Sequence, residues 1–237
     1  MTYSELVESA PPGAAEFVAA DLRRLPPKVL EELLALAPAA ERALYAKGDG
    51  AATGRLIKAG FWTLVYNLEP ERWDALSRVE PIHPGVLAAL PVDDARVLEV
   101  AAGTGRLTKH LAARARSLIA VEPAAPLREI LERRFPEVAV LDGVARDLPV
   151  AKGWADVTVS AASLGPDPVF LKEAERCTRR GGLHALISPS EPEWFERHGY
   201  RHLRFDPGEV QIPPHDPGLE EFFGPLNPPH ELLLKAL

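Results

Sequence analysis

Val97-Leu98-Glu99-Val100-Ala101-Ala102-Gly103-Thr104-Gly105 is the stretch that decides the fold of this chain. From Ala95 an apolar run with β-branched residues breaks into two glycines two residues apart, then resumes as a helical pattern from Arg106 to Arg116. That change of period reads as strand, turn and helix. Glycine has no Cβ, so such a turn lets a ligand approach the backbone closely. Turns of this kind sit at the carboxyl end of a parallel sheet and bind nucleotides. A G-x-G-x-x-G fingerprint needs a third glycine where Thr108 stands. The chain instead carries an acid, Glu99, in the strand four residues before the first glycine. A carboxylate there repels a pyrophosphate and suits a ligand with ammonium and sulfonium charge.

Three further segments follow in order. Leu118-Ile119-Ala120-Val121-Glu122-Pro123 ends four apolar residues in an acid seventeen positions after Gly105, where a second parallel strand delivers a carboxylate to ribose hydroxyls. One carboxylate can accept from two hydroxyls at once; the alternative role is a helix-capping acid before Ala124 to Arg133. Val138 to Pro149 reads as a third strand and its exit loop. Trp154 to Ser160 is a fourth strand, Phe170 to Arg180 a helix with a cationic last turn and a Gly181-Gly182 cap, and Leu183 to Ser188 a buried fifth strand.

Together these segments, over roughly residues 95 to 206, resemble the class I S-adenosylmethionine-dependent methyltransferases of the small-molecule, UbiE-like type. The family pattern E/D-x-G/A-x-G-x-G is matched at Glu99, Ala101, Gly103 and Gly105. The resemblance implies an α/β, Rossmann-like fold: a seven-stranded, mostly parallel sheet with an antiparallel last strand and an N-terminal helical cap. It implies S-adenosylmethionine as cofactor, held by Glu99, Ala101, Gly103, Thr104, Gly105, Glu122 and the backbone of Val144 and Ala145. Val144 stands where the family commonly has an adenine-binding aspartate, Arg146 where glutamate is frequent, and Asp142 falls two residues early.

The domain organisation expected is a helical cap over residues 1–90 and a cofactor-binding core over 91–237. Helices are expected over Ala14 to Arg24, Lys28 to Ala37 and Gly54 to Leu68, the first two introduced by Pro12-Gly13 and Pro26-Pro27. Tyr66 to Leu76 resembles the family's lead-in segment, which implies that Tyr66 and Trp73 cover the cofactor. Beyond the fifth strand, Glu191 to His198 reads as a short helix, Tyr200 to Phe205 as a strand, and residues 206–229 as a proline-rich excursion. His230 to Leu237 has helical propensity, but its leucine run suits a terminal antiparallel strand with two covered faces.

A net charge of -7 with no long basic run leaves no footprint for nucleic acid. One cysteine, Cys177, excludes an internal disulfide and fits a reducing, cytoplasmic setting. No apolar run approaches the length of a membrane span, and no H-x-x-x-H or C-x-x-C spacing signals a metal. The oligomeric state is not written in the sequence. Methyl transfer to an oxygen or nitrogen whose pKa exceeds ambient pH needs a base. Of seven histidines, His83 and His184 are the best placed; His110 lies on an outward helix, and His198, His202, His215 and His230 lie toward the carboxyl end. The expected activity is transfer of a methyl group to an oxygen, nitrogen or carbon of a small-molecule metabolite. The alternative is a cofactor-binding regulatory or partner protein of the same fold.

Overall fold

Seven strands form one sheet in the computed structural model, which describes residues 2–237. They are β1 (Arg96–Val100), β2 (Ser117–Val121), β3 (Ala139–Leu141), β4 (Ala155–Ala161), β5 (Thr178–Ile187), β6 (Arg201–Arg204) and β7 (Glu231–Ala236). Their order is β3-β2-β1-β4-β5-β7-β6. β7 runs antiparallel to both β5 and β6, and every other pairing is parallel. The leucine run at 232–234 therefore forms a strand, as its two covered faces require: Leu232 packs with one core and Leu233 with the other.

Strand alternation sorts the side chains. Val97, Val157, Val159, Ala185 and Ile187 pack beneath helices Pro84–Ala89 and Thr108–Leu111. Leu98, Val100 and Leu186 face helices Pro168–Cys177 and Pro192–Arg197. At the amino edge, Asp156 of β4 gathers Arg96 of β1, Arg116 before β2 and Arg179 of β5 at 3.3, 3.3 and 2.6 Å. It also accepts the Arg96 backbone N–H at 2.8 Å. That backbone bond, with the Arg179 and Arg96 guanidiniums, holds the carboxyl well below the usual carboxylate range.

The chain divides into two compact units. Ser77–Pro213 with Asn227–Leu237 contains the sheet; Met1–Leu76 with Pro214–Leu226 is helical. Relative to the boundary read at residue 90, residues 77–90 join the sheet unit, and the insertion 214–226 joins the helical one. Within the helical unit, Leu22, Leu33, Leu56 and Leu64 make one core, and Ala14, Phe61, Val65 and Phe222 another. No described helix is long and apolar enough to cross a membrane.

Local chemistry moves four element boundaries. The helix expected over 14–24 is a 3-10 turn, Pro12–Glu16, and a short helix, Ala19–Leu22, with Phe17 and Val18 extended between them. Asp21 starts the second piece by accepting the Val18 N–H at 2.9 Å. The helix expected over 54–68 breaks at Gly60 into Gly50–Ala59 and Phe61–Leu68. A Cβ at Gly60 would lie 2.6 Å from Leu33, so the missing side chain admits the neighbouring helix. The pattern from Arg106 to Arg116 yields only Thr108–Leu111 as α-helix, and beyond it the Arg114 guanidinium turns back onto the Leu87 and Leu90 carbonyls at 2.6 and 2.8 Å. Gly181-Gly182 does not cap a helix. The helix ends at Cys177, Thr178 is already extended, and both glycines lie inside β5. Gly182 is required there because a Cβ would meet the Asp156 carbonyl at 2.8 Å.

Candidate functional site

β1 and β2 end side by side, with Val100 opposite Val121 in register. The chain leaves β1 through Ala101, whose φ is 58°, and Gly103 and Gly105 follow at 58° and 101°. A left-handed alanine costs on the order of 1–2 kcal/mol, and such strain collects at functional sites. The turn is held from below: the Ala102 N–H donates to the Val121 carbonyl at 3.1 Å and the Gly105 N–H to the Ala102 carbonyl at 3.1 Å. It is held from the side by Glu122, whose carboxylate accepts the N–H groups of Gly103 and Ala124, both at 2.9 Å.

Glu99 and Glu122 are both buried. Glu99 accepts the Thr108 hydroxyl at 2.7 Å, yet desolvation dominates and pushes its pKa up to about 8. Burial also raises Glu122, against the lowering effect of the Ala124 and Gly103 N–H groups. Two acids kept from their usual ionisation at the carboxyl ends of adjacent parallel strands are a setting that positive charge or hydroxyl donors would relieve. Each Glu122 oxygen has a second lone pair beyond its backbone bond, so the carboxylate can still accept vicinal hydroxyls. The residues present fit a nucleoside that carries a cationic amino-acid chain.

The structure brings Glu99, Ala101, Gly103, Thr104, Gly105 and Glu122 together. Two of them have local duties. A Cβ on Gly105 would lie 2.4 Å from Phe135, so this glycine admits a packed ring. The Thr104 hydroxyl is buried against Ser77 at 2.8 Å, and its carbonyl accepts Arg134 at 2.8 Å. After β3, the Val144 side chain is exposed and Ala145 packs on the core. The Val144 carbonyl accepts the Asp147 N–H at 3.0 Å in a tight turn. Asp142 turns away to pair with Arg128 at 2.9 Å, and Arg146 pairs with Asp167 at 2.6 Å.

Tyr66 and Trp73 belong to the helical unit, 5.0 Å apart and grouped with Trp62 and Phe223. The two favoured histidines are both committed to structure. His83 accepts the Gly85 N–H on Nδ1 at 2.9 Å and gives Nε2–H to the Asp206 carbonyl at 3.1 Å. His184 is buried in the middle of β5 against Tyr200, and burial pushes its pKa down to about 3. Sequence reading missed Thr108 as the partner of Glu99 and Arg128 as the anchor of the Glu122 loop. Arg128 donates to the Glu122 carbonyl at 2.8 Å and the Pro123 carbonyl at 2.6 Å. The one available signal was a hydroxyl at Thr108 on the first helical turn after the glycines.

Residues 97–182 match a family model described as a methyltransferase domain. An uncharacterized methyltransferase of Mycobacterium tuberculosis is 32% identical over 117 residues, 48% of either chain. The chloroplastic 2-methyl-6-phytyl-1,4-hydroquinone methyltransferase of Arabidopsis thaliana is 32% identical over 150 residues, 60% of this chain and 40% of that protein. The chain thus spans about half the length, or less, of these relatives. Among solved structures, a chain of the Haloferax volcanii complex containing the Trm112 methyltransferase activator superposes with a TM-score of 0.52 at 16% identity, over 70% of this chain and 93% of that one. This last likeness speaks for the fold alone.

Proposed function

From a chain that carries a class I S-adenosylmethionine-dependent methyltransferase domain, we propose a whole-protein function: transfer of a methyl group to an oxygen, nitrogen or carbon centre of a small-molecule acceptor. The observation that carries this reading is the 2.9 Å bond from the Gly103 N–H to Glu122, which locks the glycine turn of β1 to the acid of β2. Bound at this edge, S-adenosylmethionine supplies an electrophilic methyl on sulfur. The chain's own part is to hold and to desolvate. Glu122 accepts the ribose hydroxyls while keeping its backbone donors. Glu99, facing the turn from a buried position, favours an ammonium group by giving up its proton. The turn keeps the reacting groups oriented and away from bulk water, and orientation is the largest lever in a displacement of this kind. The Arabidopsis relative named for a hydroquinone supports a small-molecule acceptor.

Incubating the protein with methyl-labelled donor and a metabolite extract tests the reading. Label in one or a few small molecules is the expected result. Binding of S-adenosylhomocysteine without label transfer to anything in the extract would favour a cofactor-binding regulatory protein. Absence of binding would reject the site.

A further inference from the structure

We propose that His230 is the general base of this site, so that the acceptor carries its proton on the attacking oxygen or nitrogen. The inference rests on the methyltransferase reading above. β7 is antiparallel to β5, so residue 230, just before β7, lies at the carboxyl edge of the parallel strands. Here the chain leaves β4 through Ala162 and β5 through Ser188, left-handed at φ 51° and 42°. The exits of β4, β5 and the entry of β7 are tied to one another. The Ala162 N–H donates to the Ile187 carbonyl at 2.8 Å, and the Ser188 N–H to the Glu231 carbonyl at 3.0 Å. The Ser188 hydroxyl in turn accepts the N–H groups of His230 and Glu231 at 3.0 and 3.1 Å. Neighbouring strands lie about 4.8 Å apart, so His230, at the start of a strand two places from β4, stands roughly 10 Å from the exit of β4.

The ring itself is set for the task. Its Nδ1 lies 2.9 Å from the Pro228 carbonyl. A carbonyl only accepts, so the proton sits on Nδ1 and the Nε2 lone pair is left to act as base. Nε2 has no hydrogen-bond partner among the described residues, and the side chain is half-buried rather than sealed. The backbone around it is fixed further by the Phe205 N–H on the His230 carbonyl at 3.1 Å and the His83 N–H on the Pro229 carbonyl at 2.9 Å. His83, stacked on Phe205, is thus a positioning residue for this loop.

The other histidines fail one condition or the other. His83 has both nitrogens engaged, and His184 is sealed in mid-strand. His202 lies between Glu196 and Glu231, and His215 pairs with Glu220 in the helical unit. His198 shares the Nδ1 geometry, bonded to the Trp194 carbonyl, but it ends the helix that leads to the amino end of β6. His110 is on the short helix that runs away from the glycine turn.

In the step, the proton leaves the acceptor's O–H or N–H for Nε2. The electron pair it leaves behind forms the new bond to the methyl carbon, the carbon–sulfur pair departs with sulfur, and His230 returns the proton to water. Charged and titratable groups on the adjoining elements are Glu231 on β7, Arg204 on β6, His83, Asp206 and Glu209 on the neighbouring loops, and Glu80, which accepts the Asn227 N–H at 3.0 Å.

The test has two arms. Imidazole nitrogen NMR of the protein saturated with S-adenosylhomocysteine is expected to show the Nδ1–H tautomer of His230; a majority of the Nε2–H tautomer overturns the proposal. His230→Asn keeps a donor toward Pro228 and removes the base. With the acceptor identified by label transfer, this variant is expected to lose about 10²–10⁴-fold in kcat, to lose the acid-side limb of the kcat–pH profile, and to bind S-adenosylhomocysteine unchanged. Retained turnover with the limb intact rejects His230 while leaving the methyltransferase reading standing. If wild-type protein neither binds S-adenosylhomocysteine nor transfers label, the parent reading fails instead.

Discussion

At the amino edge of the sheet, Asp156 sits among three guanidiniums and a backbone N–H, with its carboxyl held far below the ordinary range. At the opposite edge, Glu99 and Glu122 are buried on a threonine hydroxyl and a few backbone N–H groups, and both are pushed up. The sequence supplies an acid at both edges; the surroundings assign the roles. A carboxylate whose charge is already balanced holds strands together. One that is desolvated without full compensation gains from a ligand that brings cationic or hydroxyl donors. Left-handed non-glycine residues follow β1, β4 and β5 directly at the carboxyl edge.

This contrast can be broken by substitution, and the largest effect is expected at the turn. Gly103→Val places a β-branched side chain at φ 58° on the proposed path of the ligand, and calorimetry should detect no S-adenosylhomocysteine binding in a protein that still unfolds cooperatively. Undiminished affinity would move the site elsewhere.

Next is Glu122→Ala. It removes the proposed acceptor for ribose hydroxyls and strands the N–H groups of Gly103 and Ala124. Lost bonds to the hydroxyls, about 1.5–3 kcal/mol each, should lower affinity by tens-fold or more, and the unsatisfied donors, about 1–3 kcal/mol each, should lower thermal stability. A loss of stability with no loss of binding would make Glu122 only a clamp for the turn.

Glu99→Gln is expected to cost less than about tenfold at pH 7, because the wild-type acid, with a pKa near 8, already holds its proton there. The folded value lies above the unfolded one. Glu99 therefore favours folding most at low pH, and this contribution is lost as pH rises toward 8. Ligand affinity moves the other way. An ammonium favours the charged acid, so binding should tighten by up to about tenfold per pH unit below 8, with proton release visible in buffers of different ionisation enthalpy. A flat profile shared by wild type and Glu99→Gln would place the ammonium away from this acid.

The smallest effect on binding, none, is expected from Asp156→Asn. Stability is another matter. The folded pKa of Asp156 lies below its unfolded value, so its contribution is complete above the ordinary carboxylate range and fades as the solution is acidified through it. The variant should lose on the order of 1–3 kcal/mol at neutral pH and lose part of the acid slope of unfolding. A change in cofactor affinity would show that the two edges are coupled.

Much of this was legible in the chain. β1, which carries Glu99 one residue before its end, and β2, which runs directly into Glu122, announce themselves by apolar runs that meet an acid, and β7 follows from a leucine run that needs two covered faces. What sequence could not give was decided by distant partners. Leu33 breaks a helix at Gly60, and the Asp156 carbonyl fixes Gly182 within β5. The same holds at the site. Position in the chain makes His83 and His184 look catalytic, but contacts with Gly85 and Asp206 occupy His83 and burial in mid-strand seals His184. His230 gains its setting only because β7 folds back beside β5.

The placement of β7 between β5 and β6 also sets an order of events in synthesis. β6 has a single neighbour, and that neighbour is β7. While residues 231–236 are still unmade, β5 presents an open edge, β6 has nothing to pair with, and the apolar faces that Leu232 and Leu233 close are uncovered. A nascent chain at that stage is a template for association with other chains and a natural client for chaperones. Completion of one short strand then seals the edge and brings His230 beside Ser188 in the same step. Pulse proteolysis of stalled chains should show β5 and β6 becoming protected together as residues 231–236 clear the ribosome; earlier protection of β6 would mean that another segment holds its place.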